Sequence, residues 1–217
     1  MPIPRRRLYS TPSSPVKTEG SVPSYDGTRG KSVTRDYSLN VSDTAENRVC
    51  PIVYGTNRYQ PQVVHAEISG SMLYLVYLLG EGPIASLSKV YIGSDEVYAT
   101  PVTWCSFVVK TGATDQTEIT EVPHANWASS YPGRALLYMR LDLTSAKISG
   151  GLPDLEVIVN GLRVYDPRDL TTKWTENPFL IARDLLTNTE YGAGVSSALL
   201  DTTSWNASAD RCDESMA

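Results

Sequence analysis

Short segments in which apolar and polar residues alternate recur through the middle of the chain, and such segments predict β-strands with one buried face. The predicted strands lie at 52–54, 63–79, 90–92, 105–110, 118–122 and 135–143, with a further pair at 155–165. No helical periodicity occurs before residue 177. About seven or eight strands at this spacing predict a mainly β fold, an antiparallel sandwich or barrel.

The segment 155–165 carries the sharpest strand pattern. Its apolar residues alternate up to Asn160-Gly161, a dipeptide that favours a hairpin turn because both residues tolerate positive φ. Asp166-Pro167 then closes the second strand, since proline cannot donate to a strand ladder. The sequence therefore predicts a hairpin that turns at Asn160-Gly161 and ends the sheet.

A helix is predicted to begin at Asn177-Pro178. Asparagine caps exposed N–H groups well, and proline fits the first helical position, where no donor is lost. The helix is expected to end at Thr187-Asn188, before the glycine-containing segment 191–194. Its predicted apolar face consists of Phe179, Ala182, Leu185 and Leu186.

A second helix is predicted near the end of the sequence, capped by Asp201 or Ser204. A single stripe with helical spacing consists of Trp205, Ala209, Cys212 and Met216. Because a lone apolar stripe has to face another surface, it is expected to pack against the first helix or against further chain.

Three segments, in order along the chain, carry the pattern of one known family. The first is Pro-Ile-Val-Tyr-Gly at 51–55, followed by Arg-Tyr at 58–59. The second is Glu-Gly-Pro-Ile at 81–84 with Lys-Val-Tyr-Ile-Gly at 89–93, and the third runs from 174 to 194. Together they resemble the tail tip proteins of long-tailed phages and gene transfer agents, also called tail hub or host-specificity proteins. The motif residues are Pro51, Tyr54, Gly55, Glu81, Gly82, Pro83, Trp174, Asn177, Pro178, Asp184, Tyr191, Gly192 and Gly194.

The resemblance implies an architecture. A tail-tube-like antiparallel β-barrel or sandwich hub domain is expected at 49–168, after an extended N-terminal arm at 1–48. A helical segment at 169–217 would start a second hub domain. Family members continue past an A-x-x-C-D-E motif, which Ala209 and the residues 212–214 match, so the chain is expected to be the N-terminal part of a longer hub.

The resemblance also implies a function. Three copies would form a ring that closes the distal end of the tail tube, links it to the host-recognition parts and takes part in genome ejection. Expected partners are the other copies of a homotrimer, the distal tail protein ring, the tail tube protein and the tape measure protein, with DNA only in transit through the lumen. The protein is expected in the virion, at the distal end of the tail, after assembly in the host cytoplasm.

The arm and the remaining chain differ in charge. Residues 1–48 carry eight Lys or Arg and five Asp or Glu, whereas residues 49–217 carry eleven and nineteen. An acidic body repels phosphate, so it suits a lumen that DNA crosses without adhering. The arm has five prolines before residue 46 and few apolar residues. It is therefore expected to be disordered alone and to fold on binding neighbouring subunits.

Composition further restricts the class of protein. The cysteines Cys50, Cys105 and Cys212 do not have the spacing of a disulfide framework. The arginines at 5–7 are not followed by the apolar stretch of a signal peptide. The longest apolar run, 72–79, is far shorter than the roughly 20 residues that a membrane helix needs. We expect folding in a reducing cytoplasm, with no membrane contact by this segment.

No catalytic, cofactor-binding or metal-binding constellation is predicted. His65 falls in a predicted strand and His124 in a loop, and neither has a second ligand at metal-binding spacing. The pair Gly80-x-Gly82 lacks the third glycine and the helix of a dinucleotide-binding loop. The chain is therefore expected to be a structural protein without a cofactor, not an enzyme.

Two other functions stay open. A receptor- or carbohydrate-binding β-sandwich is suggested by aromatic residues that such modules expose: Trp104, Trp127, Tyr131 and Trp174. An enzyme that degrades cell walls would need paired carboxylates or a histidine-based metal site, which the sequence does not offer.

Overall fold

Strands make up most of the structure. It is a computed structural model that describes residues 17–25, 32–40, 49–99, 102–120, 130–148 and 154–215. The strands in these ranges are β1 (Lys17–Tyr25), β2 (Ser32–Asn40), β3 (Thr56–Tyr59), β4 (Gln62–Ser69), β5 (Met72–Glu81), β6 (Ile84–Ile92), β7 (Asp95–Glu96), β8 (Cys105–Lys110), β9 (Arg134–Asp142), β10 (Leu155–Asp166) and β11 (Thr171–Trp174). Two helices follow, α1 (Pro178–Thr187) and α2 (Thr202–Ser215), with a 3₁₀ turn, Ser197–Leu199, between them. The fold is mainly β with a short helical segment near its C-terminus, as predicted.

Two antiparallel sheets pack against each other. One has the strand order β4-β5-β9-β8, and the other has the order β11-β10-β6-β7, with β3 also paired to β10. Strand β10 has 12 residues and pairs with β3, β6 and β11. Strands β1 and β2 form a separate two-stranded sheet, and β1 contacts β4. One of the two sheets is thus assembled on β10.

The main core lies between the sheets, because alternate residues of β5, β9, β6 and β10 face each other. Its fully buried side chains include Leu73, Leu75, Leu79, Ile84, Val90, Leu137, Met139, Leu141, Val157 and Val159. Burying an aliphatic side chain of this size stabilises the fold by about 1.5–3 kcal/mol. The sandwich interface is therefore the main source of stability.

Strand β5 is buried on both faces, which explains its unbroken apolar sequence. Its other face contributes to a second cluster that consists of Cys50, Tyr74, Val76, Leu78, Ile119, Leu136 and Tyr138. A strand that is covered on both faces does not need apolar and polar residues in alternation. The apolar run at 72–79 is an interior strand.

A third, smaller cluster attaches the helices to the sandwich. It joins Val164 of β10, Leu180 of α1 and Ala209 of α2, and Tyr54 packs against it. The rings of Phe179 and Trp205 also meet edge to face, with centroids 5.7 Å apart. The helices thus pack on the far half of β10 and on each other.

Both predicted helices are confirmed. Helix α1 follows the N-cap Asn177, and α2 follows Asp201, whose carboxylate accepts from the Thr203 N–H at 3.1 Å. The stripe on α2 faces α1, since Ala209 is buried and Trp205 contacts α1. The last predicted member of the stripe, Met216, lies outside the described residues.

The predicted apolar face of α1 is wrong. Leu180 is the buried residue of this helix, whereas Phe179 and Leu185 remain about two-fifths exposed. The reason is tertiary: β10 and α2 approach α1 on the side of Leu180. Phe179 and Leu185 are left partly exposed, although Phe179 contacts Trp205 of α2.

Several strand predictions also need correction. Residues 52–54 form no strand, and 118–120 form none either, while 121–122 lie outside the described residues. The run 63–79 is two strands, β4 and β5, because Gly70 at φ 59° allows a tight turn between them. Predicted strands at 90–92, 105–110 and 135–143 correspond to β6, β8 and β9.

The N-terminal arm is expected to be disordered when the chain is alone and to fold on binding. In the structure of the single chain, two of its stretches, of nine residues each, pair as the antiparallel strands β1 and β2. Composition gave no sign of this hairpin, because its strands have few apolar residues to reveal a period of two. The other arm residues lie outside the described ranges.

The predicted turn at Asn160-Gly161 is wrong, because β10 runs straight through both residues. The Gly161 N–H donates to the Gly55 carbonyl at 2.8 Å, and a Cβ on Gly161 would overlap the carbonyl oxygen of Val53. Glycine is required here for the close approach of two backbones. The segment 53–55 therefore lies directly against β10.

Replacing Gly161 with alanine tests this close approach. The added Cβ would meet the backbone of Val53, which cannot move without breaking the Val53–Leu162 hydrogen bond of 2.7 Å. We expect the free energy of unfolding to fall by about 3 kcal/mol, the upper part of the range for overpacked sites. Urea denaturation followed by circular dichroism measures it.

The control for this substitution is Gly70→Ala, where a Cβ meets nothing within 4 Å and the cost comes from φ 59° alone. That cost is about 1 kcal/mol. Equal losses in the two variants would contradict the close approach at Gly161.

Candidate functional site

The first two family motifs meet at one end of the sandwich. The Pro51 carbonyl accepts from the Glu81 N–H at 2.9 Å, so segment 51–55 is tied to the end of β5. A Cβ on Gly80, which has φ 155°, would lie 2.7 Å from the same Pro51 oxygen. The Glu81 carboxylate forms an ion pair with the buried Arg134 of β9. Pro51 and Glu81 thus determine where the segment 51–55 crosses the end of β5.

Gly82 and Pro83 continue this crossing. The Gly82 N–H donates to the Gly133 carbonyl at 3.0 Å, and a Cβ on Gly82 would lie 2.5 Å from the Cα of Gly112. Pro83 follows through a cis peptide bond and leads into β6. The loop from β5 to β6 therefore packs directly on two other loops.

The first and third motifs meet at the carboxylate of Asp184 in α1. Its Oδ2 accepts from the hydroxyl of Tyr54 at 2.5 Å and from the hydroxyl of Tyr191 at 3.0 Å. Burial and the bonded carboxylate both raise the pKa of Tyr54, and burial raises the pKa of Tyr191. Both hydroxyls therefore remain protonated donors at neutral and mildly alkaline pH. This tyrosine bridge, Tyr54–Asp184–Tyr191, joins three segments of the chain.

Gly55 forms the turn that follows Tyr54. It has φ 61°, its carbonyl accepts from Gly161, and a Cβ in its place would touch the side chain of Glu176. Glycine lets the chain turn from Tyr54 into β3 beside the start of α1. The position of Tyr54 relative to α1 depends on this turn.

Asn177 connects the two helices. Its Oδ1 accepts from the N–H groups of Phe179 and Leu180 at 3.1 and 3.3 Å, which caps α1. Its Nδ2 donates to the Ala209 carbonyl at 2.8 Å and to the Asp213 carboxylate at 2.7 Å in α2. Pro178 occupies the first helical turn, and Asn177 itself is 1% exposed. A capping residue is thus also the joint between α1 and α2.

The end of α1 is closed by the third motif. A Cβ on Gly192 would overlap the carbonyl oxygen of Leu185, and Gly194 has φ 66°. The N–H groups of Ala193 and Val195 donate back to carbonyls at the end of α1, both at 2.8 Å. These bonds satisfy carbonyls that a helix end leaves without partners. Trp174 lies at the end of β11, half-buried, with no hydrogen-bond partner for its buried Nε1 among the described residues.

Sequence reasoning missed an ionic network beside these joints. Arg168 donates from Nε and Nη2 to both carboxylate oxygens of Asp166, at 2.9 and 2.8 Å. Its Nη1 donates to Asp210 and Asp213 of α2, at 2.8 and 2.7 Å. Asp166 is almost fully buried, and Lys173 lies 3.3 Å from it. The local sequence at Asp166-Pro167 predicts only a strand end, and no spacing rule links Arg168 to acids more than 40 residues later.

The hydrogen bonds from Arg168 hold the pKa of Asp166 well below its ordinary value, against the opposing effect of burial. The bidentate geometry is the strongest form of this pairing. The network fixes the turn after β10 relative to α2. It acts in parallel with Asn177, which bonds the same Asp213.

The residues that were candidates for metal binding or sugar binding do not lie together in the described part of the structure. His65 lies in β4 with its Nε2 3.5 Å from the Glu67 carboxylate, and His124 is outside the described residues. Within the described ranges, no three His, Cys, Asp or Glu side chains are grouped closely enough for a metal ion. Trp104 and Tyr131 pack against the core clusters, and Trp127 is outside the described residues. In the same part of the chain, neither helix is long and apolar enough to span a membrane.

Among the comparisons with known proteins, the one with solved structures finds a similarity. No protein-family model matches the chain, and no curated protein matches it. It is similar to a chain in a solved structure described as "Virion of native gene transfer agent (GTA) particle", with 24% identity and a TM-score of 0.42. The match covers 50% of this chain and 25% of that one. At this level the similarity is an observation that assigns no function.

The tyrosine bridge can be tested by removing one hydroxyl at a time. A hydrogen bond to a charged group contributes about 1.5–3 kcal/mol. We expect Tyr54→Phe to lower the free energy of unfolding by about 1.5 kcal/mol and Tyr191→Phe, with its longer bond, by about 1 kcal/mol. Denaturant titration of the full chain measures both.

The control for the bridge is Tyr165→Phe. The ring of Tyr165 lies under Arg183, and its hydroxyl makes no hydrogen bond within the described residues. This change should stay within about 0.5 kcal/mol of the parent chain. If all three variants behave alike, the bridge does not contribute to stability.

The ionic network predicts a pH dependence. Because the folded pKa of Asp166 lies below the ordinary value of 3.8, the network stabilises the fold above that pH. This stabilisation is lost as pH falls from about 4 toward the lower folded pKa. Urea titrations between about pH 5 and 2 should therefore show a steeper loss for the parent chain than for Asp166→Asn.

The matched control for pH is Asp115→Asn, at an exposed aspartate in a polar turn. It should keep the steep acid dependence of the parent chain. An Asp166→Asn variant with the same slope as the parent would refute the role of Asp166.

Proposed function

We propose that the chain is a structural protein of a virion tail, a tail hub that closes the distal end of the tail tube and links it to the distal tail ring and the host-recognition parts. The observation that carries the proposal is the convergence of the motif residues. Tyr54 and Asp184 lie 130 positions apart and share one hydrogen bond. The motifs that resemble the tail tip family therefore belong to one three-dimensional unit.

The chemistry of the motif residues supports a structural role. They cap a helix, bridge a carboxylate, or permit two backbones to approach, as Asn177, Asp184 and Gly82 do. None of these arrangements presents a nucleophile or a general base to an open cleft. We therefore propose that this chain is not an enzyme and uses no cofactor.

Charge supports passage of DNA through a lumen. The acidic remainder of the chain after residue 48 would repel phosphate, while the arm is basic. We infer that the acidic surface lines or borders the channel and that the arm contacts neighbouring proteins. The proposed partners are two further copies, the distal tail protein, the tail tube protein and the tape measure protein. The proposed location is the distal end of the tail in the virion, after assembly in the host cytoplasm.

The rival proposal of a carbohydrate-binding sandwich would need a row of exposed aromatic rings. Of the aromatics that suggested it, Trp104 and Tyr131 pack on core clusters and Trp174 has a buried Nε1. No observation on the described residues favours this function over the hub.

The proposal is tested by the mass of the assembled protein. Light scattering of the full chain should give a trimer, and electron microscopy should show rings with a central opening. Deleting residues 1–16 should weaken contacts with other tail proteins without unfolding the sandwich, whose core lies elsewhere. A monomer that is indifferent to the deletion and binds a glycan array would contradict the hub.

A further inference from the structure

An exposed leucine occupies a strained turn between β10 and β11. Leu170 has φ 59° and is 74% exposed. The left-handed region is disfavoured for a residue with a branched apolar side chain, and glycine or asparagine is the usual occupant. A side chain that is costly in backbone energy and unburied in the single chain is a candidate contact residue.

The base of this turn is rigid. The Arg168 N–H donates to the Asp166 carboxylate at 3.0 Å, and the Thr171 N–H and hydroxyl donate to Asp169 Oδ1 at 3.1 and 2.7 Å. Arg168 is further fixed by the acids of α2. Leu170 is thus held outward on a preorganised support, which lowers the entropic cost of inserting it into a partner.

An apolar groove that could accept such a side chain lies between α1 and α2. It has a volume of about 290 Å³ and is lined by Phe179, Ala207, Ser208, Arg211 and Cys212. Phe179 is held at its edge by Trp205, so the apolar wall does not depend on a ligand. The volume is larger than one leucine side chain.

One charged residue on the turn and one on the groove have opposite signs. Asp169 precedes Leu170, and its carboxylate pairs with Lys173 while nearly half of the side chain stays exposed. Arg211 on the groove wall is exposed and has no ion pair within the described ranges. An apolar side chain beside a partly exposed acid on one surface thus has a counterpart on the other, an apolar groove bordered by the exposed Arg211.

We propose that Leu170 of one copy inserts into the groove between α1 and α2 of a second copy, with Asp169 facing Arg211. The two surfaces differ, so the contact is head-to-tail and each copy offers one of each. Repeated head-to-tail contacts form a ring when the rotation closes. The inference concerns how copies of this chain meet and does not rest on the proposed function.

The first test separates association from folding. Asparagine tolerates positive φ, so Leu170→Asn should leave the unfolding midpoint unchanged or raise it. It should weaken self-association about tenfold or more, because an apolar anchor is lost. Sedimentation at graded concentrations measures association, and thermal unfolding of the dilute chain measures stability.

The matched control is Leu199→Asn, at a leucine that is 77% exposed in the 3₁₀ turn. It should leave self-association unchanged. Equal association of the Leu170→Asn variant and the parent chain, or a parent chain that stays monomeric up to millimolar concentration, overturns the proposal.

The second test uses a cysteine already in the groove. In a Leu170→Cys variant, mild oxidation should link position 170 of one copy to Cys212 of the next, giving disulfide-linked dimers and larger species. Cys50 and Cys105 are buried, and burial raises the pKa of the Cys105 thiol to about 11, so they should not compete. The same variant carrying Cys212→Ser should give no such species.

A disulfide between positions 170 and 212 within one copy would be seen as an oxidised monomer. It would place the turn at residue 170 in the groove of its own copy and overturn the intermolecular contact. Failure to cross-link while a maleimide still labels Cys212 would overturn it as well. Both variants keep the motif residues intact, so the tyrosine bridge is not disturbed.

Discussion

The carboxylate of Asp184 accepts hydrogen bonds from two tyrosines that reach it from opposite directions along the chain. Tyr54 comes from the segment before β3, and Tyr191 comes from the turn after α1. The position of the helices depends on this contact, which acts beside two others: a small cluster of Val164, Leu180 and Ala209 with Tyr54 against it, and Arg183 of α1 over the Tyr165 ring of β10. A small apolar contact gives affinity without a unique orientation, whereas two directed bonds to one charged group also set the angle at which α1 leaves the sheet.

Several glycines help to position these segments because they allow two backbones to approach closely. Gly55 and Gly161 let the segment that carries Tyr54 lie on β10, and Gly82 lets the loop after β5 cross another loop. Asn177, at the start of α1, and Arg168, after β10, bond the same aspartate of α2. The sandwich is stabilised mainly by its core, but its relation to the helices is determined by a few polar contacts, as is common for joints between structural units.

The regular elements were predictable wherever their determinants are local. The cap at Asn177-Pro178 located α1, and alternation located β8 and β9. The turn predicted at Asn160-Gly161 does not form, because glycine permits close backbone contact as well as a turn. Which of the two occurs depends on the neighbouring backbone of Val53, which is distant in sequence. The buried side of α1 depends on where β10 and α2 lie, which periodicity in a ten-residue helix does not encode. Family patterns located Tyr54 and Asp184, yet their contact spans 130 positions and no local rule connects them.

The central claim is that the tyrosine bridge holds the helices on the sandwich, and hydrogen–deuterium exchange of an Asp184→Ala variant tests it most directly. The account predicts faster exchange in α1 and in residues 191–195 than in the parent chain, with unchanged protection in β5 and β9, whose core is separate. Unchanged exchange in α1, or an equal loss of protection in the helices and in both sheets, would contradict it.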